Sequence, residues 1–302
     1  SPKTSDKIVS FGELFSSFII AEAMKHNGLG AELKNSQELI VTNDNFSNAV
    51  VKFDKTNSAI TEFFKNNKHK IVVLPGFVAS TENGENSTLG RGGSDYTAAI
   101  IAAAVNATIL EIWTDVSGMF TANPKMVKEA FPIKNISYQE AMELSHFGAK
   151  VLYPPTIQPV LKKEIPVCIK NTFDAKAEGT LITKVSSNNN PIKGISHIEN
   201  MALITLEGSG MVGIPGFSKR LFGALSEHKI NVSLITQASS EHSICIAISN
   251  NDVEKAKEAI DEEFSYEMGH HKVDELVIEK NNAIIALVGD NMKSHQGISG
   301  KM

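Results

Sequence analysis

The stretch STLGRGGSDYTAAIIAAAVN, residues 87–106, decides the fold, because in it a glycine-rich turn leads directly into an apolar helix. Its three glycines permit positive backbone φ angles and a close approach of the main chain to a ligand. The helix predicted from Ser94 onward would point its unpaired N–H groups and positive dipole end at the turn. Arg91 adds a planar guanidinium that suits a carboxylate or a phosphate. The stretch predicts an anion site, with an ordinary glycine-rich turn N-capped by Ser94 as the alternative.

Strands and helices alternate on both sides of this stretch. KIVVLPGF (70–77), ILEIWTD (109–115) and IPVCIKNT (165–172) predict strands, whereas residues 11–30 and 137–150 predict helices. Such alternation predicts an α/β domain whose mainly parallel sheet is covered by helices.

SFGE, residues 10–13, opens the first helical segment. A serine followed three residues later by glutamate is typical of a capping box, in which Glu13 bonds back to the helix N-terminus. Alternatively, the Glu13 carboxylate holds a cation such as an amino group. The helical period places four apolar residues on one face, Leu14, Phe15, Phe18 and Ala21.

Thr114 and Asp115 end a predicted strand and enter the loop at 116–125. Ligands of open α/β sheets bind beyond the carboxyl ends of the strands, so this loop is well placed to bind one. A surface loop with Asp115 as a turn former is the alternative. Lys150, at the end of the 137–150 helix, equally fits a partner for a helix C-terminus.

The pattern changes after SSNNNPIKG, residues 186–194, which is polar and predicts a linker. Strand, helix, strand, strand and helix follow in NMALITLEG, SKRLFGALSEHK, INVSLITQ, SICIAISN and VEKAKEAIDEEF, the opening of a split βαβ sandwich. The residues from 282 onward resemble those from 200 onward and predict a repeat. We therefore predict an α/β domain at 1–184, a linker at 185–193, a first α+β domain at 194–280 and the start of a second at 281–302.

Composition argues against several classes of protein. The formal net charge of −5 disfavours a nucleic-acid binder, whose surface would be basic. The longest apolar run, residues 98–105, is far shorter than the ~20 residues that span a bilayer, and the first residues lack signal-peptide architecture. Cys168 and Cys245 lie in short apolar runs and predict unpaired strand thiols in a reducing, cytoplasmic compartment. His270 and His271 fit no metal-binding pattern, so we expect no metal held by protein ligands alone.

Gly208, Gly210 and Gly213 match the dinucleotide fingerprint G-x-G-x-x-G between a strand and a helix. A dinucleotide fold would need a helical crossover after the next strand, and an acidic residue where this chain has Gln237. The next two strands are joined instead by the short segment ASSEH. We therefore predict that this segment binds no dinucleotide.

The ordered set SFGE, PGF, TLGRGGSDYTAA, EIWTDVSGMFTANP and SYQEAMELSHFGAKVLYPPTI resembles the aspartokinases of the amino acid kinase family. IKNTFDAKAEGTLI and LITQASSEHSI look more like the bifunctional aspartokinase–homoserine dehydrogenases than the lysine-sensitive enzymes. The resemblance covers nearly the whole chain. It implies a three-layer α/β/α kinase domain followed by ferredoxin-like ACT domains. It also implies that ATP, with Mg²⁺, phosphorylates the β-carboxylate of L-aspartate in the biosynthesis of lysine, threonine and methionine.

The resemblance implies roles for individual residues. Glu13 matches the ligand of the aspartate amino group, Arg91 and Ser94 match ligands of its carboxylate, and Phe77 lines that pocket. Asp95 matches the acidic residue that organises the catalytic cations and, with Arg91, forms the expected catalytic pair. The expected nucleotide-binding residues are Thr114, Asp115, Phe120, Lys125, Lys150 and Val151.

The chain also departs from the family pattern. Phe120 stands where many relatives have Tyr, and Asn123 and Lys125 replace an Asp and an Arg. The family's glycine-rich K-F-G-G turn, with its phosphate-contacting lysine, has no match. We therefore expect both ends of the protein to extend beyond these 302 residues, with a dehydrogenase domain on the C-terminal side. We also expect the 302 residues alone to be inactive or nearly so.

ACT domains bind amino acids between paired copies, so the resemblance implies an effector site and a homodimer or larger homo-oligomer. Gln237 and Asn231 match effector-contacting positions, although Gln237 also fits an ordinary polar residue at a strand end. Threonine is the expected effector and lysine the second candidate. Two other functions stay open: a non-catalytic amino-acid-binding and dimerisation module, and another amino acid kinase, acting on glutamate or acetylglutamate.

Overall fold

The computed structural model describes residues 1–146, 152–185, 190–211, 214–237, 242–290, 292 and 295–301. The chain divides into two compact units, Ser1–Ser196 with Leu287–Met302, and His197–Ala286. The change of pattern predicted near residue 194 lies close to this division. The domain boundaries at 184, 193 and 280 themselves remain predictions.

The first unit alternates helices with short strands. In chain order these are α1 (Pro2–His26), β1 (Ala31–Leu33), β2 (Val41–Thr42), α2 (Phe53–Asn66), β3 (Ile71–Val73), β4 (Val78–Thr81), β5 (Asn86–Thr88), α3 (Gly93–Ala104), β6 (Leu110–Thr114), β7 (Asn135–Ser137), α4 (Tyr138–His146), α5 (Gln158–Lys162), β8 (Val167–Asn171) and β9 (Thr180–Thr183).

Parallel pairing dominates the sheets of this unit. The pairs β1–β3, β2–β4, β6–β8 and β7–β9 are parallel, whereas β4–β5 and β8–β9 are antiparallel. The predicted mainly parallel α/β architecture is confirmed. The alternation of strands and helices along the sequence favours it, because a parallel pair needs a crossover connection.

The apolar helix α3 is buried because it contributes to two hydrophobic clusters. Ala99 and Ala102 belong to the cluster that includes Ile112 of β6, whereas Ile100 belongs to the cluster that includes Ile60 of α2. Fully burying one isoleucine side chain contributes ~1.5–3 kcal/mol. The run of alanines and isoleucines in α3 is therefore explained by packing on more than one face.

The packing of α1 confirms the predicted burial of Ala21 but contradicts that of the two phenylalanines on the same predicted face. Its buried residues are Asp6, Ser10, Ser17 and Ala21, whereas Phe15 and Phe18 are 62% and 53% exposed. The buried side of α1 is thus mainly polar, and the two phenylalanines lie on its exposed side.

The second unit contains the split βαβ order that the sequence predicts. Its elements are β10 (Gly194–Glu207), α6 (Phe217–Glu227), β11 (Val232–Gln237), β12 (Ser243–Ser249), α7 (Val253–Glu263), α8 (Ser265–Gly269) and β13 (Val277–Val288), followed by α9 (Ile298–Lys301) in the first unit. The sheet order is β11-β12-β10-β13, and β12 pairs antiparallel with both β10 and β11. This is the expected ferredoxin-like arrangement.

The predicted start of a second α+β domain at 281 falls inside β13, which runs from Val277 to Val288 next to β10. Asn281 and Asn200, within these two strands, have left-handed φ angles of 62° and 60°. Both side chains accept hydrogen bonds from Nδ2 of Asn250, at 3.2 and 2.9 Å. The left-handed residue Asn281 thus marks the predicted boundary, although β13 continues through it.

Gly208 and Gly210 have a packing role, which gives a structural reason for glycine at these two positions of the G-x-G-x-x-G match. A Cβ on Gly208 would lie 2.4 Å from the carbonyl oxygen of Lys272, and one on Gly210 would lie 2.5 Å from the Lys272 Cβ. Strand β10 next pairs antiparallel with β12, so the parallel crossover of a dinucleotide fold is missing here. The prediction against dinucleotide binding agrees with this topology.

The two cysteines are unpaired, as the sequence predicts. Cys168 in β8 is buried and Cys245 in β12 is partly buried, and both are free thiols in strands. Burial raises the pKa of the Cys168 thiol, which makes it a poor nucleophile. No described helix combines the length and the apolar character that crossing a bilayer requires.

Candidate functional site

The glycine-rich turn between β5 and α3 has the conformation that its sequence predicts. Gly90 and Gly92 adopt φ angles of 71° and 69°, in the left-handed region that favours glycine. Gly92 is the N-cap of α3, and no side chain caps the helix there. The first N–H groups of a helix lack intrahelical partners, so this end presents donors and the positive end of the helix dipole. Because the helix starts at Gly93, the alternative in which Ser94 is the N-cap is wrong.

Close contacts fix the residues around this turn. A Cβ on Gly76 would lie 2.8 Å from the Ser94 Cα, and a Cβ on Gly93 would lie 2.7 Å from the Phe77 Cδ2. Phe77 itself has a φ of 68°, and its backbone N–H donates to Thr97 Oγ1 at 3.0 Å. Phe77 and Ser94, both predicted as substrate ligands, are therefore neighbours.

Arg91 projects from the turn into solvent. Its guanidinium carbon lies 5.8 Å from the centroid of the Tyr153 ring, a cation–π distance. None of the ion pairs found among the described residues involves Arg91. The only other arginine, Arg220, by contrast binds Glu263 and Glu267. Within the described part of the chain, no carboxylate neutralises the charge of Arg91.

Asp95 lies in the first turn of α3, beside the positive end of the helix. Burial raises the pKa of its carboxyl group, because removal from water penalises the charged form. A carboxylate held in this way is stabilised when a cation binds next to it. The structure thus places a partly desolvated carboxyl group at the start of α3.

Glu13 lies in the middle of α1, eleven residues after its first residue, Pro2, so the capping-box alternative is wrong. The N-cap is Ser1, whose Oγ accepts from the backbone N–H of Thr4. Glu13 is partly buried and falls on the side of α1 that carries buried Ser10 and Ser17. Since α1 packs on β5, the strand that leads into the glycine turn, Glu13 and the turn belong to one packed assembly.

The loop after β6 lies at the same edge of the unit as the N-terminus of α3. Helix α3 spans ~18 Å at 1.5 Å per residue and is followed by β6, which spans ~17 Å. The chain reverses between them, and α3 contacts β6, so Gly93 and Thr114 lie at the same end. Of the predicted site residues, those at the start of α3 and at the end of β6 are thereby brought to one edge of the unit.

Neighbouring strands and turns hold the loop that begins at Thr114. Thr114 is paired with Asn171, the last residue of β8, and its carbonyl accepts from the Thr172 N–H at 2.8 Å. The Thr114 hydroxyl donates to Asp115 Oδ1 at 3.1 Å. Asn171 Nδ2 donates to Ser117 Oγ at 2.9 Å. The carboxyl ends of two parallel strands thus define the start of the predicted nucleotide site.

The far side of this loop rests on Thr180, which the sequence analysis missed. The Thr180 hydroxyl is fully buried, accepts from the Met119 N–H at 2.8 Å and donates to the Ile133 carbonyl at 2.6 Å. A Cβ on Gly118 would lie 2.4 Å from Thr180 Oγ1. A threonine that opens a short strand carries no sequence signal for this role, because its partners lie 61 and 47 residues away.

The remaining predicted nucleotide residues have different outcomes. Phe120 is partly buried and forms an isolated antiparallel bridge with Pro132. Lys125 is exposed, and its backbone N–H donates to Asn123 Oδ1 at 3.0 Å, so Asn123 shapes the turn. Lys150 and Val151 lie outside the described residues. The two alternatives for Lys150, nucleotide binding and helix capping, therefore both remain predictions.

A cavity of about 280 Å³ lies in the second unit, next to the N-terminus of α6. The described residues that line it are Met211, Ile214, Pro215, Gly216, Phe217, Ser218, Gln237 and Ile244. Gly216, the N-cap of α6, has a φ of 103°, and no side chain caps the helix. The cavity thus combines an apolar lining, a helix N-terminus and the predicted effector residue Gln237. Asn231 is exposed and does not line it.

Two family models match the chain. The amino acid kinase family matches residues 2–171, and an ACT domain matches residues 204–264. The chain is 39% identical over 302 residues to a bifunctional aspartokinase/homoserine dehydrogenase of Arabidopsis thaliana, a match covering 98% of this chain and 33% of that protein. The chain thus spans about a third of the length of the first curated relatives that it matches.

Solved structures of Escherichia coli aspartokinase III show the same fold. Its complex with aspartate and ADP is 31% identical to this chain, with a TM-score of 0.82, covering all of this chain and 67% of that one. Its complex with lysine and aspartate is 32% identical, with a TM-score of 0.78, covering 96% and 64%.

Proposed function

The chain belongs to the amino acid kinase family, in which its relatives are aspartokinases, and from that premise we propose that it binds L-aspartate and ATP as part of an aspartate kinase. The Glu13 carboxylate would bind the amino group of aspartate, while Arg91 and Ser94 would bind a carboxylate beside the Phe77 ring. Thr114, Asp115, Phe120, Lys125, Lys150 and Val151 would bind the nucleotide. The aspartate and ADP bound to the Escherichia coli relative support this choice of ligands.

The proposed reaction needs no general base. An aspartate β-carboxylate has an ordinary pKa of ~3.9 and is already ionised at neutral pH. One of its oxygens attacks the γ-phosphorus of ATP, the bond from that phosphorus to the bridging oxygen breaks, and ADP leaves with the electron pair. The products are 4-phospho-L-aspartate and ADP. The protein's task is to bring two anions together and to neutralise the charge on the transferred phosphoryl oxygens.

Mg²⁺ fits this edge of the unit. Among the described residues, no group of three or more His, Cys, Asp or Glu side chains could hold a metal ion. Mg²⁺ is usually held by one or two carboxylates together with substrate phosphates, and Asp95 offers such a carboxylate. When bound, the ion would neutralise negative charge on the phosphates.

The observation that carries the proposal is the exposed Arg91 guanidinium, which lies between two left-handed glycines at the start of α3 and forms no ion pair with any described residue. In the full-length protein, ATP, Mg²⁺ and aspartate should yield aspartyl phosphate that hydroxylamine traps as a hydroxamate. Arg91→Lys keeps the charge but loses the planar fork, so the KM for aspartate should rise about tenfold or more. The KM for ATP should change little. Absence of hydroxamate from the wild-type protein would refute the proposal.

A substrate panel separates aspartate kinase from the other functions. Glutamate and acetylglutamate should give little product compared with aspartate, because the main chain beside Phe77 and Ser94 is closely packed. Preference for either of them would assign a different amino acid kinase. Effector binding without any nucleotide binding would instead favour a non-catalytic regulatory module.

For the effector, we favour threonine over lysine in the cavity next to α6. The helix N-terminus suits the carboxylate of an amino acid, and Gln237 offers an amide. None of the described lining residues carries a charge that would pair with a lysine ammonium group. A ligand that binds only the folded state stabilises it by ~2.7 kcal/mol at a hundredfold excess over its Kd. Threonine should therefore raise the Tm more than lysine does, and the reverse ranking would assign lysine.

Strand β11 provides a surface for the proposed homodimer. It is an edge strand of its sheet, and its Leu234 and Ile235 are 41% and 54% exposed. Unpaired edge strands with apolar side chains are ready to pair with another chain. Light scattering should give twice the chain mass, and Ile235→Lys should shift the protein to monomer. A wild-type monomer would exclude this interface.

A further inference from the structure

Asp6 is a buried carboxylate that the proposed mechanism does not use. It lies near the start of α1 and is 1% exposed. Its Oδ2 accepts from the backbone N–H groups of Ser47, at 2.8 Å, and Thr88, at 3.1 Å. Its Oδ1 accepts from the hydroxyls of the same two residues, at 3.2 and 3.0 Å. Hydrogen bonds to a carboxylate are about twice as strong as neutral ones. These four bonds therefore attach the start of α1 firmly to Ser47 and Thr88.

Both partners of Asp6 lie next to the glycine turn. Thr88 is the last residue of β5, two residues before Gly90, and its carbonyl accepts from the Ala49 N–H at 3.0 Å. Ser47 has a left-handed φ of 71°, and its carbonyl oxygen would lie 3.2 Å from a Cβ on Gly90. The Ser47 peptide is thus held by Asp6 on one side and lies close to Gly90 on the other.

Glu13 lies on the same helix as Asp6, further along α1. Asp6 and Glu13 are seven residues apart, two turns of α1, or ~10 Å along the helix axis. The Ser10 hydroxyl donates to the Asp6 carbonyl at 2.6 Å and is fully buried between them. A helix anchored at Asp6 therefore fixes where the Glu13 carboxylate stands relative to the turn that carries Arg91.

We propose that Asp6 is a positioning residue that sets the spacing between the two halves of the amino-acid site, Glu13 on α1 and Arg91 on the glycine turn. The inference rests on the proposed function of those two residues. A small error in the placement of binding groups costs a large factor in rate, so the defect should concern aspartate and spare the nucleotide.

The test uses steady-state kinetics of the full-length protein. Asp6→Asn places an amide NH₂ against two donors, so it should raise the KM for aspartate about tenfold or more. The KM for ATP should stay within about twofold, since the loop after Thr114 is held by other contacts. Asp54→Asn, at an exposed position in α2, is the charge-matched control and should leave both constants unchanged.

A double-mutant cycle distinguishes a role of Asp6 in positioning Glu13 from a general effect of Asp6 on the stability of the fold. If Asp6 acts by placing Glu13, then Asp6→Asn should add little to the KM defect of Glu13→Gln, because the two share one interaction. Full additivity of the two changes, or equal rises in both KM values, would overturn the inference.

A second variant covers the case in which Asp6→Asn does not fold. Thr88→Val removes one hydroxyl donor but keeps the N–H and the side-chain shape, so it should raise the KM for aspartate by about threefold to tenfold. No selective change in that variant would also overturn the inference. A wild-type protein without aspartate-dependent phosphoryl transfer would instead remove the proposed function, and the role of Asp6 with it.

Discussion

Replacement of Gly90 by alanine tests the turn that carries Arg91. The backbone φ of Gly90 is 71°, and an added Cβ would lie 2.9 Å from Asn48 Oδ1 and 3.2 Å from the Ser47 carbonyl oxygen. The left-handed conformation costs an L-residue ~1–2 kcal/mol. Crowding against a packed neighbour adds ~1–3 kcal/mol. Gly90→Ala should therefore lower the free energy of unfolding by ~2–5 kcal/mol, the sum of the two.

Gly84 provides a matched control. Its φ is 75°, but nothing lies within 4 Å of an added Cβ. Gly84→Ala should therefore lose only the conformational ~1–2 kcal/mol, and the difference between the two variants isolates the contact with Ser47 and Asn48.

Urea denaturation of both variants measures this difference, and KM values for aspartate measure its consequence. Gly90→Ala should raise the KM for aspartate because Arg91 is displaced, whereas Gly84→Ala should leave it unchanged. Equal losses of stability in the two variants, with both KM values at the wild-type level, would show that the contact of Gly90 with Ser47 and Asn48 does not position Arg91.

Three other substitutions test separate parts of the account. Asp95→Asn should lower kcat about a hundredfold or more and should raise the Tm of the ligand-free protein at neutral pH. The sign follows from the raised pKa of Asp95: the folded state holds the proton more tightly, so wild-type stability falls as pH rises from the ordinary carboxyl pKa to the folded one. An unchanged Tm near neutral pH would contradict this. Thr180→Val should cost ~1–3 kcal/mol, by leaving the Met119 N–H without its hydroxyl acceptor, and should raise the KM for ATP. Thr180→Ser keeps the hydroxyl and should change neither the stability nor the KM for ATP. A wild-type KM for ATP in the valine variant would exclude the proposed support of the loop by Thr180. Gln237→Ala should abolish the effector-dependent rise in Tm without changing the basal Tm, and a retained rise would place the effector elsewhere.

The sequence predicted best those features that depend on local chain geometry. The turn around Arg91 needed left-handed residues before a helix, and glycines at 90 and 92 supply them. The position of Thr114 followed from a general property of parallel sheets, whose strands end at a common edge. Gln237 was expected in an effector site and lines a cavity.

Features that depend on distant partners were mispredicted or missed. Ser10 and Glu13 have capping-box spacing, but α1 begins eight residues before Ser10, and local spacing cannot reveal this. The buried stripe of α1 is polar because Asp6 bonds to residues 41 and 82 positions away. Hydrophobic periodicity therefore wrongly placed Phe15 and Phe18 on the buried face, although it placed Ala21 there correctly.

A crystal structure of the full-length protein with aspartate and a non-hydrolysable ATP analogue would show directly whether Glu13 and Arg91 form one amino-acid site. We predict aspartate bound between Glu13 and Arg91, with its amino group at the Glu13 carboxylate and a carboxylate at the Arg91 guanidinium. Its β-carboxylate should face the γ-phosphate near Thr114. Aspartate bound away from Arg91, or a nucleotide bound away from Thr114, would contradict this prediction.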